Sequence, residues 1–241
     1  MKHIAATKAR TRDSQQSPVR ISAPPVVLDG SLALPVGTCG VVLFAHGSGS
    51  SRHSPRNRYV AEVLHQGGLG TLLFDLLTQD EEQIDARTAE LRFDIPLLTQ
   101  RLVGATDWLA SRPATRDLRV GYFGASTGGG AALVAAAERP RVVGAVVSRG
   151  GRPDLAGSAL ARVQAPTLLI VGGEDTPVIL MNSEALSQLR CEKKLEIVPG
   201  ATHLFEEPGT LEAVAQLARE WFIDYLRPKQ QARERNSHAR S

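Results

Sequence analysis

Two kinds of stretch alternate along the chain: short continuous apolar runs, and longer segments with apolar residues at helical spacing. The runs Gly40 to Ala45, Leu69 to Phe74, Leu118 to Phe123, Arg141 to Ser148, Pro166 to Gly172 and Lys194 to Val198 read as strands, most of them covered on both faces. Between or after them, Ser54 to Gly67, Phe93 to Leu109, Ala131 to Glu138 and Thr210 to Leu226 read as helices. Upstream, Val26 to Leu28, the pair Asp29-Gly30 and Ser31 to Leu34 predict a hairpin on an antiparallel edge, turning at Asp29-Gly30. Strands alternating with helices predict an α/β fold, an open and mostly parallel sheet with helices on both faces. The acidic segment Leu76 to Arg92 has no evident core partner, and it is expected to border the site as an insertion. Arg149 to Ala165 is too short for a cap of several helices, so an open site with no large cap domain is expected.

Composition narrows this picture in two places. The chain has 241 residues, 42% hydrophobic and 22% charged, which suits a single domain with a substantial core. Its net charge of +3 comes from the ends: residues 1–20 and 227–241 hold ten of the 28 Lys/Arg and two of the 25 Asp/Glu. The body is therefore net negative, and nucleic acid is not an expected partner. The expected organisation is a basic disordered tail over 1–18, one domain over 19–226 and a second basic tail over 227–241. Cys39 and Cys191 form no metal spacing and no disulfide framework. No apolar run approaches a membrane span and no signal peptide is evident, so a cytoplasmic protein without membrane contact is expected. Whether it is a monomer or a homodimer is left open.

The chemistry gathers around Gly121 to Gly130. Gly124-Ala-Ser126-Thr-Gly128 has the G-x-S-x-G form of a nucleophile elbow, flanked by an apolar run and a helix-forming segment. A strand-to-helix turn that sharp leaves no room for a Cβ two positions either side of the serine, which accounts for Gly124 and Gly128. Two further groups follow later strands: Asp175, in Gly172-Gly-Glu-Asp-Thr-Pro-Val178, and His203, in Gly200-Ala-Thr-His203. In an open parallel sheet such ends converge on one edge. The order Ser126, Asp175, His203 is the one that accompanies G-x-S-x-G. A serine needs a histidine to take its proton and a carboxylate to orient that histidine. Glu174, beside Asp175, is the alternative acid.

These pieces, with the small-residue loop His46-Gly-Ser-Gly-Ser-Ser51 after the second strand region, resemble the α/β-hydrolase superfamily and, within it, its dienelactone-hydrolase-like members. The likeness covers roughly residues 25–226. It implies an α/β-hydrolase fold with Ser126 as nucleophile, Asp175 as orienter and His203 as base, and the backbone N–H groups of Ser48 and Thr127 as oxyanion hole. It also implies a small-molecule ester as substrate and no metal or organic cofactor. Dienelactone hydrolases proper use a cysteine nucleophile; the serine here points to a carboxylesterase acting on small acyl or lactone-type esters. His46 is read as structural and Asp75 as a loop-capping residue. Arg52 and Arg149 are the candidate ligands for a substrate carboxylate.

Three other readings share these residues. An acyltransferase or thioesterase would use the same acyl-enzyme. A binding protein can keep the scaffold without the chemistry. The glycine spacing from Gly124 to Gly130, with Tyr225 and Lys229, also matches short-chain dehydrogenases, but the fingerprint stands too late in the chain and Pro228 interrupts the helix such a pair needs.

Overall fold

The computed structural model describes residues 16–228, so most of both predicted tails, residues 1–15 and 229–241, lie outside the described residues. Eight strands form one sheet: β1 (Ser17–Ala23), β2 (Val26–Ala33), β3 (Val41–Ala45), β4 (Gly70–Phe74), β5 (Val120–Ala125), β6 (Val143–Arg149), β7 (Thr167–Gly172) and β8 (Lys193–Val198). Their order is β1-β2-β4-β3-β5-β6-β7-β8. The pairs β1–β2 and β2–β4 are antiparallel, and the other pairs are parallel. Six α-helices accompany them: α1 (Pro55–Gln66), α2 (Gln79–Thr88), α3 (Ile95–Ala110), α4 (Thr127–Glu138), α5 (Thr176–Gln188) and α6 (Thr210–Leu226).

Alternation along the strands builds two cores. Val42, Phe44, Leu73, Phe123, Val147 and Ile170 face α1 and α6, where Val60, Leu64, Val214 and Phe222 are buried. Val41, Leu43, Tyr122, Val146 and Leu169 face the opposite layer, with Leu102 and Leu109 from α3 and Leu133 from α4. Every residue of β3, β4, β5, β6 and β7 is buried, as continuous apolar runs require. The strand β8 is an edge and more exposed.

The antiparallel edge is present, but its turn is not where Asp29-Gly30 places it. β2 runs unbroken through both residues, and the chain reverses at Pro24-Pro25. Proline lacks the N–H a ladder needs and suits the turn. Gly30 instead marks close packing: a Cβ there would stand 2.9 Å from Ile21 Cδ1 and 3.1 Å from Phe74 Cβ. The edge also begins earlier than the predicted domain boundary, since Ser17 and Pro18, assigned to the tail, open β1.

The acidic segment has a fold of its own. Thr78 and Glu81 form a capping box at the start of α2, each side chain bonding the other's backbone N–H. Arg101 on α3 donates to Glu81 at 2.6 Å, and Arg92 donates to buried Asp85 at 2.7 Å. Ion pairs rather than an apolar face attach this helix. Between β6 and β7 stand only short 3₁₀ turns, Pro153–Arg162, and no cap.

Strand order fixes where a site can form. From β3 the chain crosses to β4 on one side and then returns to β5 on the other, so the loops after β3 and β5 open a crevice at the carboxyl ends of the sheet.

Candidate active site

Ser126 stands in that crevice, between β5 and α4. Its backbone has φ 50° and ψ −122°, a region that costs a non-glycine residue about 1–3 kcal/mol and persists only where the surroundings enforce it. The surroundings are visible. A Cβ on Gly124 would stand 2.6 Å from Gly128 O, and one on Gly128 would run into the carbonyls of Ala45 and His46. The Ser126 N–H bonds Arg149 O at 3.3 Å, and Arg152 N–H bonds Ser126 O at 3.0 Å, so β6 and its loop clamp the turn.

Asp175 is the residue before α5 and occupies its N-cap position, yet its side chain makes no capping bond. The carboxylate turns to His203 instead, with Asp175 Oδ2 2.7 Å from His203 Nδ1. Glu174 is exposed and makes no such contact. His203 lies in the loop after β8, which Glu207 braces through Thr202: Glu207 Oε1 accepts from the Thr202 hydroxyl at 2.6 Å and Oε2 from its N–H at 3.1 Å. Ser126, His203 and Arg149 line one cleft of about 260 Å³, together with Ser48, Ser50, Arg56, Asn57 and Leu204. No direct hydrogen bond joins Ser126 to His203; contacts of this kind commonly tighten only around a substrate.

The loop after β3 folds as a turn, closed by Ser50 N–H to Gly47 O at 3.1 Å, with Gly49 at φ 70°. Ser48 occupies its first central position, where a β-turn leaves the N–H unused, and that N–H has no protein partner among the described residues. Thr127 is the first residue of α4, whose N–H likewise has no partner within the helix. Both belong to the lining of a second cleft, about 240 Å³, with Leu76, Leu77 and Leu98 as its apolar part.

His46 holds this loop in place. Its Nε2 accepts the Leu76 N–H at 3.1 Å, so the ring proton is on Nδ1, which donates to Gly47 O at 3.0 Å. The imidazole is neutral and structural, and burial pushes its pKa below the ordinary histidine value despite the Gly47 carbonyl and nearby Asp75. Burial lowers His65 as well. The unfolded chain takes up these protons near pH 6.5 while the folded one resists, so this contribution is complete above about pH 6.5 and is lost as pH falls below it. The thermal midpoint is therefore expected to fall between pH 7 and pH 5.5. A His46→Gln variant should show a smaller fall; an equal fall in both would remove His46 from the account.

The two candidate arginines differ. Arg52 is engaged internally: its guanidinium and its N–H both bond the Asp75 carboxylate, the N–H at 2.7 Å. That pair ties the loop after β3 to the end of β4 and gives Asp75 the capping role expected of it. Arg149 is buried, at 8% exposure, and its guanidinium has neither a hydrogen bond nor an ion pair among the described residues. It lies 5.7 Å from the centre of the Phe205 ring.

An open eight-stranded sheet in this order, with a strained serine elbow after β5 and an acid–histidine pair after β7 and β8, defines an α/β hydrolase. Comparison with known proteins narrows the class. Residues 28–228 match the model of the dienelactone hydrolase family. A dienelactone hydrolase from Anabaena variabilis, known from its crystal structure, is 70% identical, with a TM-score of 0.87 over 88% of this chain and 99% of that one. The chain belongs to the dienelactone hydrolase family. Est1E from Butyrivibrio proteoclasticus shares the fold at 16% identity, with a TM-score of 0.71 over 86% of this chain and 98% of that one. Two Mycobacterium tuberculosis proteins that carry a phosphoribosyl transferase name are 60% identical over 223 residues, 92% of this chain. This chain spans about half the length of those relatives, 48%.

Proposed function

We propose that the protein is a serine hydrolase that cleaves carboxylic esters of small molecules through an acyl-enzyme on Ser126. The observation that carries this reading is the 2.7 Å bond between Asp175 and His203 in a loop that shares one cleft with the strained Ser126. A carboxylate so placed keeps the Nδ1 proton on the imidazole, leaves Nε2 free as a base and stabilises the imidazolium once it forms. His203 takes the serine proton as Oγ adds to the ester carbonyl. The negative oxygen is held by the unused N–H groups of Ser48 and Thr127, at the positive end of α4. His203 then protonates the leaving alcohol, and water activated by the same histidine releases the acid. The family's hydrolase name and the Anabaena protein support the reading.

The phosphoribosyl transferase name belongs to relatives twice as long, so it does not describe this half by itself. Against the dehydrogenase reading stands the place of Gly124 to Gly130, in the elbow after β5 rather than after a first strand; of the Tyr225–Lys229 pair, Tyr225 bonds Glu192 and Lys229 lies outside the described residues.

The direct test is a fluorophosphonate probe followed by peptide mass spectrometry, with turnover of p-nitrophenyl acetate and butyrate in parallel. A phosphonyl adduct on Ser126 together with ester turnover is the expected result. A folded protein that takes up no probe and turns over no ester would leave a binding protein on a hydrolase scaffold.

A further inference from the structure

The loop after β6, Arg149 to Arg152, joins the surroundings of all three members of the proposed triad. On one side it holds the elbow: Arg149 O accepts the Ser126 N–H, and the Arg152 N–H donates to Ser126 O. On another side Gly150 lies against the proposed base, where a Cβ would stand 3.5 Å from His203 Nδ1 and Cε1 and 3.3 Å from the His203 carbonyl oxygen. Gly150, at φ 51°, also donates its N–H to Ile170 O at 2.7 Å, which ties the loop to β7, the strand that leads to Asp175. The last connection is a side chain. Asn182, two helical turns on from Asp175 in α5, donates to Gly151 O at 3.0 Å and to Val178 O at 2.8 Å.

An asparagine is a costly choice at that place. Asn182 is fully buried in the stripe it shares with Val178 and Ala185, asparagine is a poor helix former, and its Oδ1 is buried without a hydrogen-bond partner among the described residues. An aliphatic side chain would suit the stripe better. What the amide alone supplies is the donor to Gly151 O. Glycines make the room for this bond. A Cβ on Gly129, in the first turn of α4, would stand 2.6 Å from Ser148 Oγ and 3.0 Å from Gly151 Cα, and one on Gly151 would run into Ser148 Oγ. Gly129 therefore has a reason of its own beside Gly124 and Gly128: the loop packs directly on the helix that follows Ser126.

Resting on the esterase reading above, we infer that Asn182 is a positioning residue for the triad: it fastens the helix headed by Asp175 to the loop 149–152, and so sets the acid–histidine pair in register with the serine elbow. The three groups follow three different strands, β5, β7 and β8, and this loop is where their supports meet. Asn182 lines neither cleft, so it acts on the reaction through the loop alone. Misplacing a reacting group by about 1 Å is enough to cost about 100-fold in rate.

The test measures kcat and KM on p-nitrophenyl acetate, per active site counted with the fluorophosphonate probe, at a temperature well below every melting midpoint. Asn182→Leu keeps the size and removes the donor. Its kcat should lie about 10- to 100-fold below native, with KM within about twofold. Ala185→Gly weakens the same buried stripe at a residue that makes no hydrogen bond to the loop; it should lower the melting midpoint and leave kcat per site within about twofold of native. Gly150→Ala reaches the loop from the other side and needs no change in α5. An alanine at φ 51° strains the loop beside the His203 ring, and kcat should fall by about tenfold with KM near native. Native kcat per site in a folded Asn182→Leu or in Gly150→Ala, a loss confined to KM, or an equal loss in Ala185→Gly would each overturn the inference and leave the esterase reading intact. A native protein that takes up no probe and cleaves no ester would sink both.

Discussion

Ser126→Ala is expected to abolish probe labelling and to lower ester turnover by on the order of 10⁵-fold or more, with no loss of thermal stability. Under the proposed mechanism the serine oxygen forms the covalent bond to substrate, and the other hydroxyls of its cleft, including Ser48 and Ser50, lie outside the strained elbow. What remains is binding and the proposed oxyanion N–H groups, which by themselves give a modest acceleration over water. Stability should hold or rise, because the hydroxyl makes no capping bond in α4 and alanine fits the same space. The comparison to make is kcat of both proteins on p-nitrophenyl acetate beside their melting curves. Turnover in the variant within tenfold of the native rate would place the nucleophile elsewhere.

Asp175→Asn should be nearly as damaging, with kcat lowered by on the order of 10³- to 10⁴-fold at neutral pH. The amide preserves size, but it presents either a donor to Nδ1 or an acceptor without charge. The first case moves the ring proton to Nε2 and removes the base; the second leaves the imidazolium unsupported. Glu174→Gln provides the contrast, since Glu174 is exposed and bonds Ala201 only through its backbone N–H. Its kcat should stay within about twofold of native. Reversed sensitivities would exchange the two acids. The substitution at 175 should leave KM for small neutral esters close to native, because the carboxylate touches the histidine rather than the substrate.

The sequence carried the parallel part of the fold well, because strands buried on both faces leave continuous apolar runs that need no partner to be recognised. β3, β4, β5 and β7 fall within a residue or two of their predicted ends. It was less informative where polar interactions decide. α2 was missed as a helix because its face toward the protein is held by Glu81 and Asp85 rather than by leucines. The Thr78-x-x-Glu81 capping signature was there to be read. α5 also went unassigned: Val178, Asn182 and Ala185 are its buried stripe, a pattern obscured by an asparagine inside it and by Leu180, which is 67% exposed. The hairpin turn was misplaced because Asp-Gly is a strong local signal, while the demand for a glycine beside Ile21 and Phe74 exists only in three dimensions.

The site was legible in part for the same reason. Ser126, Asp175 and His203 each follow a readable strand, and sheet topology does the rest. Arg52 and Arg149 were indistinguishable in one dimension, since both simply follow strands or loops near the elbow. Only the fold shows that Asp75 neutralises the first and that no acid among the described residues pairs with the second.

The capping position at the head of α5 has a consequence for how this protein could be improved. Asp175 is there, an excellent capping residue by type, and its oxygens are withheld from the helix. A side chain that did bond the free N–H groups would gain about 1 kcal/mol of helix stability. Under the proposed mechanism, robustness and activity thus make opposite demands on one carboxylate: a residue at 175 that capped α5 would give a sturdier protein with its histidine unoriented.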